Sequence, residues 1–342
     1  MRRIAVTTEI RTAGTPINRF FHERFPNTGP MIEEFSSRLT PATTLYPPRN
    51  GGTPPYATLG TAIDYRLLYY FWAKPFRALD AYKGALRIRI GDPSDIVHIP
   101  LHESMGHSAT RSATRLVYDF FMSLEHLLAE IRPVRRRLLD SQEALLCRYC
   151  FVLGLFEEIE RTVGRTPSAS PLRAFVGKAT ATVADLLSLA DFWLDDLCHL
   201  SRLFHDRQRK MFTQQAWIHP KNIWRMAGAE ADLLVEGYVI DFKTTISPRL
   251  DPTWLYQVLC YVLLEYPPEH AVRGVGFYLV RQGVLVRWRL EHLIFRLMNE
   301  EPMPLEQLRT EFRELLSGAY GLYSQWSFLS GRKPWRGAPW GA

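Results

Sequence analysis

The stretch GAEADLLVEGYVIDFKTT, residues 228–245, constrains the fold more tightly than any other part of the chain. Two runs of apolar and β-branched residues flank Glu236-Gly237, a turn pair, so the segment reads as a β-hairpin. Yet it carries Glu230, Asp232, Asp241 and Lys243. Strands are depleted in Asp, and a buried charge is costly unless it is paired or binds a metal. With a two-residue turn, positions 232 and 241 stand opposite each other, with Cβ atoms about 4.5–5.5 Å apart. Carboxylates so placed repel unless a cation lies between them. Lys243 leaves the same strand face as Asp241, with Glu230 as its cross-strand neighbour. A glycine bulge at the turn would slip this register by one residue. The plainer alternative is a strand whose acids face solvent.

An oxygen-rich pocket beside an ammonium suits metal-assisted phosphodiester cleavage. Mg²⁺ takes a few carboxylates, keeps several waters and accepts a phosphate oxygen. It polarises the phosphorus and acidifies a water, while a lysine can orient that water or stabilise developing charge. Further along, Gln257 and Tyr261 stand four apart, on one face of an expected helix.

The rest of the chain supplies the frame. Residues 1–57 are rich in Pro, Thr, Gly and Arg and read largely as loop. A helix is expected from about Thr58 to Ala73, halted at Pro75, and a short strand at GALRIRIGD (84–92). Apolar residues at helical spacing, such as Leu116, Phe120, Leu124 and Leu128, mark helical blocks near 111–131, 134–163 and 178–210. The pattern then turns to short strands. After the first hairpin comes a helix from about Thr253 to Leu264, with Asp251 as N-cap and Pro252 at its first position. A second hairpin, VGFYLV and VLVRWRL, closes around Arg281-Gln282-Gly283, and a last helix lies near 304–316. The expected divisions are 1–110, an N-terminal segment with the first core helix; 111–210, a helical insertion; 211–300, the sheet; and 301–342, a helix and a tail.

In the order AEADLLV, YVIDFKTT and YQVLCY, the chain resembles the PD-(D/E)XK nuclease superfamily, in its RecB-like branch. The resemblance covers about 228–264. It implies an α/β fold with a restriction-endonuclease-like core, a central mixed sheet flanked by helices, carrying the helical region as an insertion. It implies Asp232 and Asp241 as ligands of Mg or Mn, with the Phe242 carbonyl contributing and Lys243 as the catalytic lysine. Gln257 and Tyr261 fall on the branch's QxxxY motif, and Glu230 and Thr244 are supporting residues. The branch also places a Gly-x-x-x-His pattern on its first helix; GTAID offers Gly60 and, at the His position, Asp64. Asp for His keeps a ligand but makes it a hard anionic oxygen. The alternative for Asp64 is a plain surface helix residue. The implied activity is hydrolysis of DNA to a 5′-phosphate and a 3′-hydroxyl. The rival is a non-catalytic nucleic-acid-binding or partner-docking module on the same fold, and a third option is a small-molecule metallohydrolase.

Composition narrows the partners. A net charge of +7, from 42 Lys+Arg against 35 Asp+Glu, favours an anionic partner. The runs RPVRRR and HDRQRK offer Arg135, Arg136, Arg137, Arg207, Arg209 and Lys210 for phosphate contacts, or else are solvated helix ends. Trp217, Trp224 and Trp254 flank the hairpin as core residues or as stacking surfaces. HESMGH (102–107) spaces its histidines five apart, so on a helix they diverge by about 140° and do not share a zinc. Cys147, Cys150, Cys198 and Cys260 are expected as buried thiols in a reducing compartment. No cysteine follows Cys260, which argues against the iron–sulfur cluster some RecB-like nucleases carry. No apolar run has signal-peptide or membrane-span length, so a cytoplasmic chain is expected. No helicase or ATPase motif occurs; a motor, if one is used, is a separate chain.

Overall fold

A computed structural model describes residues 6–39, 42–48, 55–71, 80–100, 110–131, 137–162, 170–207, 212, 216–218, 231–264, 272–298 and 303–321. In chain order the elements are α1 (Val6–Arg11), α2 (Pro16–Arg24), α3 (Gly29–Leu39), α4 (Tyr56–Phe71), α5 (Asp80–Arg87), β1 (Ile96–Pro100) and β2 (Thr110–Thr114). Next come α6 (Arg115–Glu130), α7 (Asp140–Arg161), α8 (Val183–Ser188), α9 (Leu194–Arg207), β3 (Ala216–Ile218), β4 (Leu233–Val235) and β5 (Tyr238–Lys243). The last are α10 (Pro252–Leu264), β6 (Gly274–Leu279), β7 (Val284–Arg289), α11 (Leu290–Leu297) and α12 (Leu305–Tyr320).

Glu236 and Gly237 both have positive φ, 52° and 78°, as a two-residue hairpin turn demands. The ladder runs Val235↔Tyr238, Leu234↔Val239 and Leu233↔Ile240. That is the register read from the sequence, with no bulge. The sheet order is β3-β4-β5-β6-β7, antiparallel except between β5 and β6, so it is mixed. The parallel β5–β6 pair needs a crossover, and α10 supplies it. Asp251 accepts from the Thr253 N–H at 2.8 Å and Pro252 opens the helix.

Strand alternation divides the core in two. Leu233, Val235, Ile240, Phe242 and Tyr278 pack with α4 to α9. Leu234, Val239, Val275, Phe277 and Leu279 pack with α1 to α3 and α10 to α12. The helical block therefore shares its apolar core with one face of the sheet and does not build one of its own.

Three expectations change. Residues 84–92 are not a strand: Gly84–Arg87 finish α5, and Ile90 and Gly91 make only single bridges to Val176. Burial of Ala81, Tyr82 and Ala85 against α7 overrides the local β propensity. Residues 1–57 hold α1 to α3, because Ile17, Phe20 and Phe21, then Met31, Phe35 and Leu39, recur at helical spacing and are buried. The third helical block is interrupted near Leu189–Trp193 between α8 and α9. The β1–β2 pair was not foreseen.

Two buried ion pairs tie the helical block down. Arg66 of α4 grips Glu143 of α7 through Nε at 2.7 Å and Nη2 at 2.6 Å. Arg281, after β6, grips Asp196 of α9 at 2.9 and 2.8 Å and donates to the Leu45 carbonyl. A third device is steric: a Cβ on Gly84 would stand 1.8 Å from the Phe156 carbonyl oxygen of α7. Only glycine lets α5 approach so closely. Gly84→Ala should therefore destabilise the protein by at least about 1–3 kcal/mol in urea unfolding. Gly318→Ala in α12, where nothing lies within 4 Å, should be neutral or stabilising by up to about 1 kcal/mol. Equal effects at the two positions would remove the close-approach argument.

Candidate functional site

Asp241 is buried, 2% exposed, on the α10 side of β5. A bare carboxylate there would be costly, and two neighbours offset it. Gln257 of α10 donates from Nε2 to Asp241 Oδ1 at 3.1 Å. Lys243, two residues on and on the same face, brings Nζ to 2.5 Å from Asp241 Oδ2. Gln257 Oε1 accepts from Lys243 Nζ at 3.2 Å, and Gln257 also donates to the Tyr261 hydroxyl, one turn along α10. Trp254 lies one turn the other way, with its ring 5.2 Å from the Lys243 ammonium. Its opposite packing against Phe35 and Phe277 makes it a core residue rather than a free stacking surface.

Asp232 sits one residue before the first paired position of β4, in a bend. Its Oδ2 accepts from the Phe242 N–H at 2.6 Å. Backbone capping, rather than a face-to-face carboxylate pair, is thus part of what holds it. Burial, and after it the Asp241 charge, push the Asp232 carboxyl up to about 8, against the pull of the Phe242 N–H and Lys243. Asp64 approaches from α4. Its Oδ1 is buried without a hydrogen-bond partner. Burial raises its pKa well above the carboxylate range, and Asp232, Asp241 and Glu157 add to the effect, with Arg161 opposing. Asp64 is half-buried, with Oδ1 closed off from solvent.

An open cleft of about 470 Å³ meets this group at the end of β5. Asp64, Phe242, Lys243 and Thr244 line it, with Tyr56 and Gly60 of α4 and Arg161 of α7. Thr244 Oγ1 is also buried without a hydrogen-bond partner. Asp232 and Asp241 do not line the cleft, and Lys243 stands at ion-pair distance from Asp241 Oδ2, which accepts no hydrogen bond.

Glu157 belongs to an acidic pair, Glu157-Glu158, that offers a further helix-borne ligand in the sequence without any spacing that requires it, whereas Arg161 carries no sequence signal for this site. Glu157 accepts from the Tyr65 hydroxyl and pairs with Arg161 one turn later. Burial works against the Arg161 charge, but the Glu157 and Asp64 carboxylates outweigh it and hold its pKa up. Nothing local in LFEEIER places these two here. They reach the site because α7 packs along α4.

The basic runs fare differently. Glu230, Arg135, Arg136, Arg209, Lys210 and the HESMGH segment lie outside the described residues, as does Trp224. Arg137 is exposed just before α7 begins, and the 22 residues of that helix separate it from Arg161 by roughly 33 Å. Arg207 donates to the Gln282 carbonyl at 3.2 Å, against the β6–β7 turn. The four cysteines are free and buried. Among the described residues no helix is long and apolar enough to cross a membrane.

The donor set suits a hard cation by its chemistry: carboxylate oxygens of Asp64, Asp232 and Asp241, with orphaned or raised-pKa groups among them. Among the described residues, however, no three His, Cys, Asp or Glu side chains close into a ready ligand group. A cation would have to displace Lys243 from Asp241. No protein-family model matches the chain, and no curated protein or solved structure matches it either.

The raised Asp232 carboxyl has a measurable consequence in metal-free protein. The folded state keeps a proton that the unfolded chain releases near pH 3.8, so this group's contribution to stability falls as pH rises from about 4 to about 8. Asp232→Asn keeps an acceptor for the Phe242 N–H and removes the charge. In chelator it should gain stability relative to wild type across that window. Added Mn²⁺ should stabilise wild type by about 2.7 kcal/mol at a hundredfold excess over Kd and the variant much less. Melting curves on both proteins check this; equal metal shifts would remove Asp232 from the ligand set.

Proposed function

We propose that the chain is a metal-dependent nuclease of the PD-(D/E)XK type, with a restriction-endonuclease-like core and the α6–α9 region as a helical insertion, acting on DNA. The observation that carries the reading is the Lys243–Gln257–Asp241 arrangement. A lysine and a buried carboxylate share one strand face, both tied to a glutamine on the crossover helix, with two more carboxylates of raised pKa beside them.

In this reading Asp64, Asp232 and Asp241, with the Phe242 carbonyl, would hold Mg²⁺ or Mn²⁺. When bound, the ion supplies Lewis acidity toward a phosphodiester oxygen and toward a water. Lys243 has three N–H donors, so its bond to Gln257 leaves capacity to hold an attacking water or the charge growing on phosphate oxygens. Tyr261 stays a neutral phenol, because burial and then the Asp241 and Asp232 charges raise its pKa. It accepts from Gln257 and keeps that amide turned toward the pair. The bond from water oxygen to phosphorus forms as the bond to the leaving oxygen breaks, and the leaving oxygen takes a proton.

One observation favours a second reading, a binding module without catalysis: Lys243 already neutralises Asp241, as in a site that needs no metal. Cleavage assays separate the two. Wild type should cut linear, circular or single-stranded DNA only with Mg²⁺ or Mn²⁺, and Asp241→Ala and Lys243→Ala should each abolish cutting without unfolding the protein. Because Lys243 competes with the ion for Asp241, Lys243→Ala should bind Mn²⁺ at least as tightly as wild type by calorimetry. DNA binding with no cleavage under any metal would favour the binding module, and wild-type cutting by Lys243→Ala would end the lysine's assignment.

A further inference from the structure

The cleft extends well beyond the carboxylates. Its floor is one face of α4, made by Tyr56, Ala57, Gly60, Thr61 and Asp64. Eight residues of helix separate Tyr56 from Asp64, about 12 Å at 1.5 Å per residue. Ala57, Gly60 and Thr61 between them are small, and Thr244 stands beside Gly60 at the cleft's edge. Tyr56 stands at one end, 37% exposed. At the other, Arg161 has a side chain 61% exposed beside Asp64. A guanidinium has five N–H donors, so the bond to Glu157 leaves others for a ligand.

We propose that Tyr56 and Arg161 bind a single nucleic-acid strand along α4, the guanidinium taking a backbone phosphate and the aromatic ring taking the face of an unpaired base. The chemistry at each end selects this ligand. Arg161 and Lys243 are the cations of the cleft and suit a phosphate between them. An exposed ring at the other end of this α4 face, about 12 Å along the helix from Asp64 and with no charge to offer, suits a planar base. A stacked strand covers about 12 Å in three to four nucleotides at 3.4 Å each, and in fewer when extended. Stacking on Tyr56 needs a base free of its complement, so the strand must be single over this track. The inference rests on the nuclease reading for which phosphate is cut, but not for the binding itself.

Fluorescence anisotropy in chelator tests it, using a labelled twelve-nucleotide oligothymidylate and a blunt, closed DNA hairpin. Tyr56→Ala should weaken oligothymidylate binding roughly tenfold, with hairpin binding and the salt slope unchanged, and Tyr56→Phe should restore it. Arg161→Gln should weaken binding and reduce the slope of log K against log salt by about 0.7, while Arg161→Lys keeps the slope. Melting curves confirm that each variant is folded. Wild-type binding by Tyr56→Ala and Arg161→Gln overturns the proposal. So does an equal loss by Tyr56→Ala on both ligands, or a wild type that does not bind oligothymidylate. Wild-type cleavage of DNA under Mg²⁺ or Mn²⁺ is scored separately, so the track can fail while the nuclease reading stands.

Discussion

A buried carboxylate on a central strand is the constraint from which the rest of this structure follows. An unpaired charge at Asp241 would cost several kcal/mol, so the fold must bring it partners. It finds one in its own strand, Lys243, and one in the next element, Gln257. That need locks β5 in register, because a slip by one residue would turn Asp241 into the apolar layer that holds Ile240 and Phe242. It also sets the rotation of α10 about its axis, since Gln257 must face the strand while Leu255, Val258 and Leu259 stay in the core. Polar groups collect at the end of the sheet because both of its faces are closed by helices.

The charge balance of the site is unlike that of the whole chain. The chain as a whole is cationic, yet four carboxylates, Asp64, Glu157, Asp232 and Asp241, influence one another at the end of β5. Two cations, Lys243 and Arg161, moderate them from opposite elements. An approaching polyanion is drawn by the overall field and meets repulsion only at the last step. That repulsion is what cations at the site must overcome.

The hairpin, its turn and its register were legible because period-2 patterning and Glu236-Gly237 are local signals. So was α10, through Asp251, Pro252 and the Gln257–Tyr261 spacing. The approach of Asp64 could be suspected only through the family resemblance, since α4 is almost wholly buried and its apolar pattern does not point to one face. Glu157 was visible only as half of the acidic pair Glu157-Glu158, and Arg161 was not legible at all. Their place depends on how α7 lies against α4, which Arg66–Glu143 and the approach of Gly154 to the Thr58 carbonyl decide from far along the chain. The basic runs show the converse limit. Charge density is visible in a sequence, but distance from a site is not, and Arg137 stands a full helix away.

The N-terminal helices carry a consequence for synthesis. Phe21 stacks on Tyr256 at 5.3 Å, and the Tyr256 hydroxyl donates to the Phe25 carbonyl, 231 residues away in sequence. Among the described residues the apolar faces of α1 to α3 thus pack on one another, on α10 to α12 and on the sheet. A ribosome adding about 5–20 residues per second leaves those faces uncovered for roughly 10–50 s. During that interval α4 to α9 likewise lack the sheet face with which they share a core, and Phe20, Phe21, Phe25 and Phe35 remain uncovered. Helices α1 to α3 are made long before the elements that finish them.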